Sequence, residues 1–404
     1  MAAFDASSPS AFKLSMLIND TRYRSYTFQF IALFLLICFV SYLGWNLAVN
    51  LAAAGLNISY NFLGDPAGYD INQRLIEYNS QSSHFRAAIV GVLNTLLVAF
   101  LGCITATILG ITAGILRLSN NWIVAKLMAV YVEIFRNVPV LIWILIINAV
   151  FLAVLPQPKS FRGENPDASM LWDAFAFTGR GIYAPKPLFY EGSFVVIAAF
   201  ILSLIAIFVY RRYTLKKLYS EGAVLPTRWP SIALFFVPTL LVYFAMSGPI
   251  GFEYPALKGF NFKGGLWARG SLIALWLALS IYTGAFIAEN VRAGIQAISK
   301  GQTEAASALG MRPNIVMNLV VLPQAMRVII PPLISSYLNI TKNSSLAIAV
   351  GYMDITGTLG GITLNQTGRA IEAVLLLMLF YLIISLSISA VMNVYNKSVK
   401  LKER

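Results

Sequence analysis

The amino-acid sequence predicts an all-α membrane protein with about eight transmembrane helices, and three observations carry that prediction. Of the 404 residues, 58% are hydrophobic and only 12% are charged, where a soluble domain carries roughly a quarter charged residues. The mean hydropathy is +0.71. Several apolar runs reach the about 20 residues that a spanning helix requires, and inside a bilayer only helices or closed barrels satisfy every backbone polar group.

The runs fall at roughly 28–48, 87–116, 136–156, 193–210, 230–247, 268–291, 320–341 and 369–395. With the N-terminus inside, the segments on the cytoplasmic side hold nineteen Lys and Arg and the outer loops nine, so the positive-inside rule places both termini in the cytoplasm. The net charge of +13 is thereby explained without nucleic acid. The first 26 residues lack the short apolar core and small-residue cleavage site of a secretory signal, which leaves 1–27 as a cytoplasmic tail, matched by a second at 396–404. Cys38 and Cys103 both lie in apolar runs, against a disulfide framework or a metal site, and the single histidine, His84, reads as an interfacial side chain.

Along the chain, the first span is apolar on every side and reads as a peripheral, lipid-facing helix at 28–48, followed by an outer loop at 49–86. The second carries Gly91, Gly102, Gly110 and Gly114 with Asn94, Thr95, Thr105 and Thr107, and such residues let helices approach closely. Asn94 admits two readings, a satisfied packing residue or a group on a solute pathway. Before the third span, Glu133 and Arg136 are three apart and able to pair, and Pro139 breaks or kinks the helix. Residues 157–266 hold a large outer loop and two further spans joined by Arg211, Arg212, Lys216 and Lys217. After the sixth span the polarity changes abruptly through 292–319, where a small-residue helix beginning at Gln302 or Thr303 runs through Glu304, Ala305 and Ala306 and ends at a Gly310 cap. In the seventh span Pro331 and Pro332 must free backbone carbonyls, which is tolerated beside a cavity. Asn339, Thr341, Lys342, Asn343, Ser344 and Ser345 then form a polar run at membrane depth, where an ionisable side chain is a functional suspect. In the last span Arg369 and Glu372 are spaced to pair.

Glu304, Ala305, Ala306, Gly310, Leu322 and Pro323 resemble the signature loop of type I permease subunits of bacterial ATP-binding-cassette importers, with Val320 where isoleucine is usual. Glu133, Phe135, Arg136 and Pro139 resemble the mark of the polar amino acid branch of those permeases, the His-Glu-Gln-Arg branch, and the string from Lys342 to Leu346 with Gly351 and Asp354 is similar to a family string in which glutamate is usual for Asp354. The resemblance implies a five-helix permease core in two parts, 87–156 and 267–395, plus the N-terminal helix and an inserted helical hairpin within 157–266 that it does not cover. It implies that the 292–319 loop is a coupling helix seated on a separate ATPase, present in two copies. A second, non-identical permease subunit, as in general L-amino acid systems, and a periplasmic amino-acid-binding protein complete the expected complex in the bacterial inner membrane.

The chain has no glycine-rich phosphate loop ending in Gly-Lys-[ST], so ATP hydrolysis falls to another subunit. One histidine and two membrane-buried cysteines assemble no nucleophile, base or metal constellation, and the expectation is a transport subunit without cofactor or metal. An ion-gradient-driven amino acid transporter is the alternative; it calls for internal repeats and paired midplane carboxylates, whereas Glu133, Glu289 and Glu372 sit near span ends. For the solute pathway the sequence offers Asn94, Thr95, Lys342, Asn343, Ser344, Ser345 and Asp354, with Lys342 attracting a carboxylate or pairing with Asp354.

Overall fold

The computed structural model describes residues 16–55, 57–163, 166–223 and 225–399, so most of the expected tails, at 1–15 and 400–404, lies outside them. Eight segments among the described residues are long and apolar enough to span: Tyr23–Ala53, His84–Leu116, Val140–Phe161, Ser193–Leu218, Arg228–Ala245, Gly270–Gln296, Pro313–Val350 and Ala370–Asn396. Each overlaps one predicted run.

The chain divides into two compact units, Met1–Phe62 and Leu63–Arg404. The first contains α1 (Thr21–Ala53), whose large apolar side chains from Phe28 to Trp45 are exposed, as suits a helix solvated by lipid. In the second unit the helices are α2 (His84–Leu116), α3 (Trp122–Asn137), α4 (Val140–Val154), the hairpin α5 (Ser193–Glu221) and α6 (Arg228–Ala245), α7 (Gly270–Gln296), the short α8 (Lys300–Ala308), α9 (Leu322–Asn343) and α10 (Ala370–Val399). Local chemistry sets several starts. The Ser83 hydroxyl accepts from the Arg86 N–H at 3.3 Å, and Asn121 Oδ1 accepts from the Ile123 N–H at 3.0 Å, each capping orphan donors of the following helix.

The core forms where α2 lies along α7. Leu275, Leu279 and Ile287 of α7 pack with Val98 and Ala106 of α2, Ile144 of α4, and Ile329 and Ile340 of α9. Gly110 and Gly114 permit the approach: a Cβ on Gly110 would meet Ile287 Cβ at 2.5 Å, and one on Gly114 would meet the Ala288 carbonyl oxygen at 2.7 Å. Hydroxyls tie the same helices to their neighbours, Trp276 Nε1 donating to Thr105 Oγ1 at 3.0 Å and Thr107 Oγ1 lying 2.7 Å from the Tyr337 hydroxyl.

The structure departs from the sequence reading in three places. The stretch read as a cytoplasmic loop after α2 holds α3, a 16-residue amphipathic helix too short to register as a span. Its Val132 is buried, and Tyr131 donates to the Ile281 carbonyl at 2.6 Å. The segments 157–191 and 248–269 contain β1 (Ala176–Thr178), β2 (Gly181–Ala184), β3 (Lys186–Phe189), β4 (Ile250–Glu253), β5 (Ala256–Lys258), β6 (Asn261–Lys263) and β7 (Leu266–Arg269). They form an antiparallel sheet ordered β1-β2-β7 and the pairs β3-β4 and β5-β6. Strands of three or four residues are too short for a period-two pattern; here Tyr183 opposite Trp267, with stacked rings 5.6 Å apart, fixes the register. Third, His84, the first residue of its span, is buried by protein at 4% exposed, its Nδ1 3.0 Å from Thr363 Oγ1. As the sequence reading allowed, α9 accommodates Pro331 and Pro332 beside an open cavity that both line.

Gly110→Leu should lower the thermal midpoint of the detergent-solubilised protein, at a cost of about 1–3 kcal/mol for overpacking a closed seam. Gly44→Ala in α1, where an added Cβ meets nothing within 4 Å, should leave the midpoint unchanged.

Candidate functional site

Three features surround α7 and α9. The first is α8, with the turn that joins it to α9. It begins at Lys300, earlier than the expected Gln302 or Thr303, because Ser299 is already extended (φ −62°, ψ 140°) and turns the chain there. Gly310 adopts φ +76°, its N–H bonding to the Ser307 carbonyl at 2.9 Å and that of Met311 to the Ala306 carbonyl at 3.3 Å, a left-handed cap that a Cβ would strain. Ala306 alone of the helix is buried, packed on Val316 and Val321. Glu304 and Ala305 are exposed, and Leu309 is 82% exposed. Leu322 and Pro323 open α9 directly after a single wide turn, Met317–Val321.

The second feature is a charge cluster on Glu289. Its carboxylate accepts from Arg292 at 2.6 Å, from Arg117 at the end of α2, and lies 3.9 Å from Arg136 of α3. The Arg117 and Glu289 side chains are only 12% and 22% exposed. The expected Glu133–Arg136 pair therefore does not form: Glu133 is exposed and accepts instead from Asn137 at 3.3 Å, while the Arg136 guanidinium lies 5.4 Å from the centre of the Phe286 ring. Phe135 stacks on Trp143 across the break at Pro139. A pairing across three helices was not readable from spacing along one.

The third is the polar segment after α9. Ser344–Val350 forms a 3-10 turn and Thr356–Thr363 a wide helical turn. Asn94 Nδ2 donates to the carbonyls of Gln73 at 2.7 Å and Met353 at 2.8 Å, and Thr95 Oγ1 accepts from the Ile355 N–H at 3.2 Å. Asp354, fully buried, accepts from the Gly357 N–H at 2.9 Å and the Tyr381 hydroxyl at 3.2 Å. These three residues hold irregular backbone against α2, where Gly91 leaves no room for a Cβ beside Thr358. Lys342 is exposed and forms no pair with Asp354, whose oxygens are already occupied. Ser344 and Ser345 bond back to the carbonyls of Thr341 and Lys342, both at 2.8 Å. Asn94 and Thr95 do not face the polar run of α9. Arg369 and Glu372 pair at 3.3 Å, as their spacing predicts.

Of the polar run expected on the pathway, Asn339 and Asn343 line an open cavity of about 820 Å³, with Tyr282, Thr283, Asn290 and Ser336 among its other walls. Sequence reasoning passed over Ser335, although Ser335, Asn339 and Asn343 recur every fourth residue on one helix face and that periodicity was visible.

A bundle of apolar spans with an open cavity lined by amides and hydroxyls, and a small exposed helix between two of the spans, has the form of a multi-pass transport component. Residues 222–401 match the family described as binding-protein-dependent transport system inner membrane component. The chain is 51% identical to the glutamate/glutamine/aspartate/asparagine transport system permease protein BztB of Rhodobacter capsulatus, over 98% of each chain. It is 44% identical to the general L-amino acid transport system permease protein AapQ of Rhizobium johnstonii, over 95% of this chain and 94% of that one. It is 41% identical to the putative amino-acid ABC transporter permease protein YhdX of Escherichia coli, over 98% and 99%. The chain belongs to this family of ATP-binding-cassette transporter permeases and is a multi-pass inner membrane protein.

Glu289→Gln leaves three guanidiniums without their carboxylate and should destabilise the solubilised protein by about 2 kcal/mol, less than the roughly 3–5 kcal/mol of a fully buried pair. Thermal unfolding of this variant beside Glu133→Gln, which should be near neutral, measures the difference.

Proposed function

We propose that this chain is the transmembrane subunit of an importer that moves amino acids from the periplasm to the cytoplasm, driven by a separate ATPase that grips α8. The observation that carries the reading is the form of α8: nine residues, one anchoring side chain, and a large apolar residue, Leu309, held in solvent at 82% exposure. An isolated helix of that length is marginal in water, so its display calls for a partner groove. Glu304, Ala305, Ala306 and Gly310 form the coupling helix, and Leu322 and Pro323 pass its displacement to α9. Two ATPase copies, a non-identical second permease subunit and a periplasmic amino-acid-binding protein complete the assembly. The permease relatives over nearly the full chain support this over a gradient-driven transporter.

In this reading the permease core comprises 87–156 and 267–395, and 157–266 is an insertion. Both termini and α8 face the cytoplasm. The cavity beside Tyr282, Asn339 and Asn343 lines the pathway, where amides and hydroxyls serve either the ammonium or the carboxylate of a zwitterion. Lys342 lies in the last turn of α9 and Ser344 and Ser345 open the turn that follows, while Asn94, Thr95 and Asp354 hold the next segment, 352–358, in place. Tilting of α7 and α9 as rigid bodies around the cavity alternates access.

Gly310→Val, which puts a branched side chain at φ +76°, should abolish ATP-driven uptake and co-purification of the ATPase while membrane insertion persists. Normal co-purification and uptake would refute the coupling role. Reporters fused after Lys217 and after Arg162 should read as cytoplasmic and periplasmic respectively, and the reverse would overturn the orientation.

A further inference from the structure

A second cavity, about 500 Å³, opens at the N-terminal end of α7, where the β1-β2-β7 sheet meets the bundle. That volume lies within the roughly 300–1,000 Å³ of small-molecule sites. Two guanidiniums line it. Arg180 comes from the β1-β2 turn of the insertion and Arg269 from the last residue of β7. Among the described residues neither forms an ion pair, and no Asp or Glu lines the cavity.

The remaining groups add donors. The Tyr183 hydroxyl donates to Asn261 Oδ1 at 2.9 Å, which leaves the Asn261 amide nitrogen as that side chain's free donor. The Trp267 ring is already engaged, by Tyr183 stacked 5.6 Å from its centre and by the Arg269 guanidinium 5.2 Å from it. Arg180 is itself held by its backbone: its carbonyl accepts from Trp267 Nε1 at 3.3 Å and from the Gly270 N–H at 3.2 Å, and its guanidinium donates to the Phe260 carbonyl at 3.3 Å. The floor of the cavity is the start of α7 at Gly270 and Ser271, and Ser271 lies about 16 Å along the same helix from Tyr282 in the pathway cavity, at 1.5 Å per residue.

We propose that this cavity is an outer capture site for the side-chain carboxylate of dicarboxylic amino acids, and that it makes the insertion a determinant of substrate preference. Two cations with no anionic counterpart among the described residues favour a solute of net negative charge over a neutral zwitterion, and arginine forks match carboxylates in geometry. The inference rests on the importer function and the orientation proposed above, since the site must face the periplasm to act.

The test uses the complete transporter, this chain with its ATPase and partner subunits, in vesicles of neutral phosphatidylcholine, measuring ATP-driven uptake of glutamate and of its neutral isostere glutamine. Wild-type uptake of either one establishes the importer, so its absence indicts the function and not this site. Given uptake, Arg180→Gln should raise the KM for glutamate about tenfold, the size of one charge-assisted hydrogen bond, with kcat and the KM for glutamine within about twofold. Arg180→Lys should recover part of the loss. Arg269→Gln should act alike, and because Arg269 joins sheet to helix, the exposed Arg180 carries the test if that variant misfolds. Equal effects on both substrates, no effect on either, or inhibition of wild-type glutamate uptake by equimolar inorganic phosphate would overturn the proposal. So would an Arg180→Gln effect confined to vesicles containing anionic lipid, which would assign the cavity to a lipid headgroup.

Discussion

The close approach of α2 to α7 sets the position of every polar group that matters in this bundle. Lipid offers helices no hydrophobic gain on association, so packing and buried polar contacts must hold them. Gly110 and Gly114 supply the first by removing side chains where Ile287, Ala288 and Val291 press in. Arg117, three residues beyond Gly114, supplies the second by reaching Glu289. Moving the helices apart by one methyl group would draw that guanidinium off the carboxylate on which Arg136 and Arg292 also converge.

The same helix works at its other end in a different way. Around Gly91, Asn94 and Thr95 it offers a gap and hydrogen bonds to a segment, 352–358, that passes from irregular backbone at 352–354 into the wide helical turn. A group such as Asn94, spanning the carbonyls of Gln73 and Met353, is what allows irregular backbone to persist at membrane depth. With α2 fixed at both ends, α7 and α9 frame the polar cavity, and α8 hangs between them on a single buried alanine. In the proposed mechanism the ATPase therefore acts on the pair of helices that wall the pathway, and on little else.

Much of this was legible in the sequence, and the limits of legibility follow from physics. Each of the eight spans is announced by a long apolar run, and the cap at Gly310 by a glycine closing a small-residue helix. The close seam is announced by the glycines of α2. What could not be read was anything set by neighbours distant in sequence. Glu133 and Arg136 have ideal spacing for a helical pair, yet Arg136 finds Glu289, some 150 residues away, in the folded bundle. Lys342 and Asp354 likewise look complementary, but Asp354 is claimed by Gly357 and Tyr381. The strands of the insertion are too short to carry a pattern, and with them went any sign that Arg180 and Arg269 line one cavity.

The central claim is that transport through this chain is driven by a separate ATPase acting on α8. The most direct measurement compares amino acid uptake into vesicles holding the complete complex with uptake into vesicles holding this chain and its partner permease alone, under an imposed proton or sodium gradient. The account predicts uptake that requires the ATPase and hydrolysable ATP, and none from the gradient. Gradient-driven uptake of comparable rate without the ATPase would contradict it.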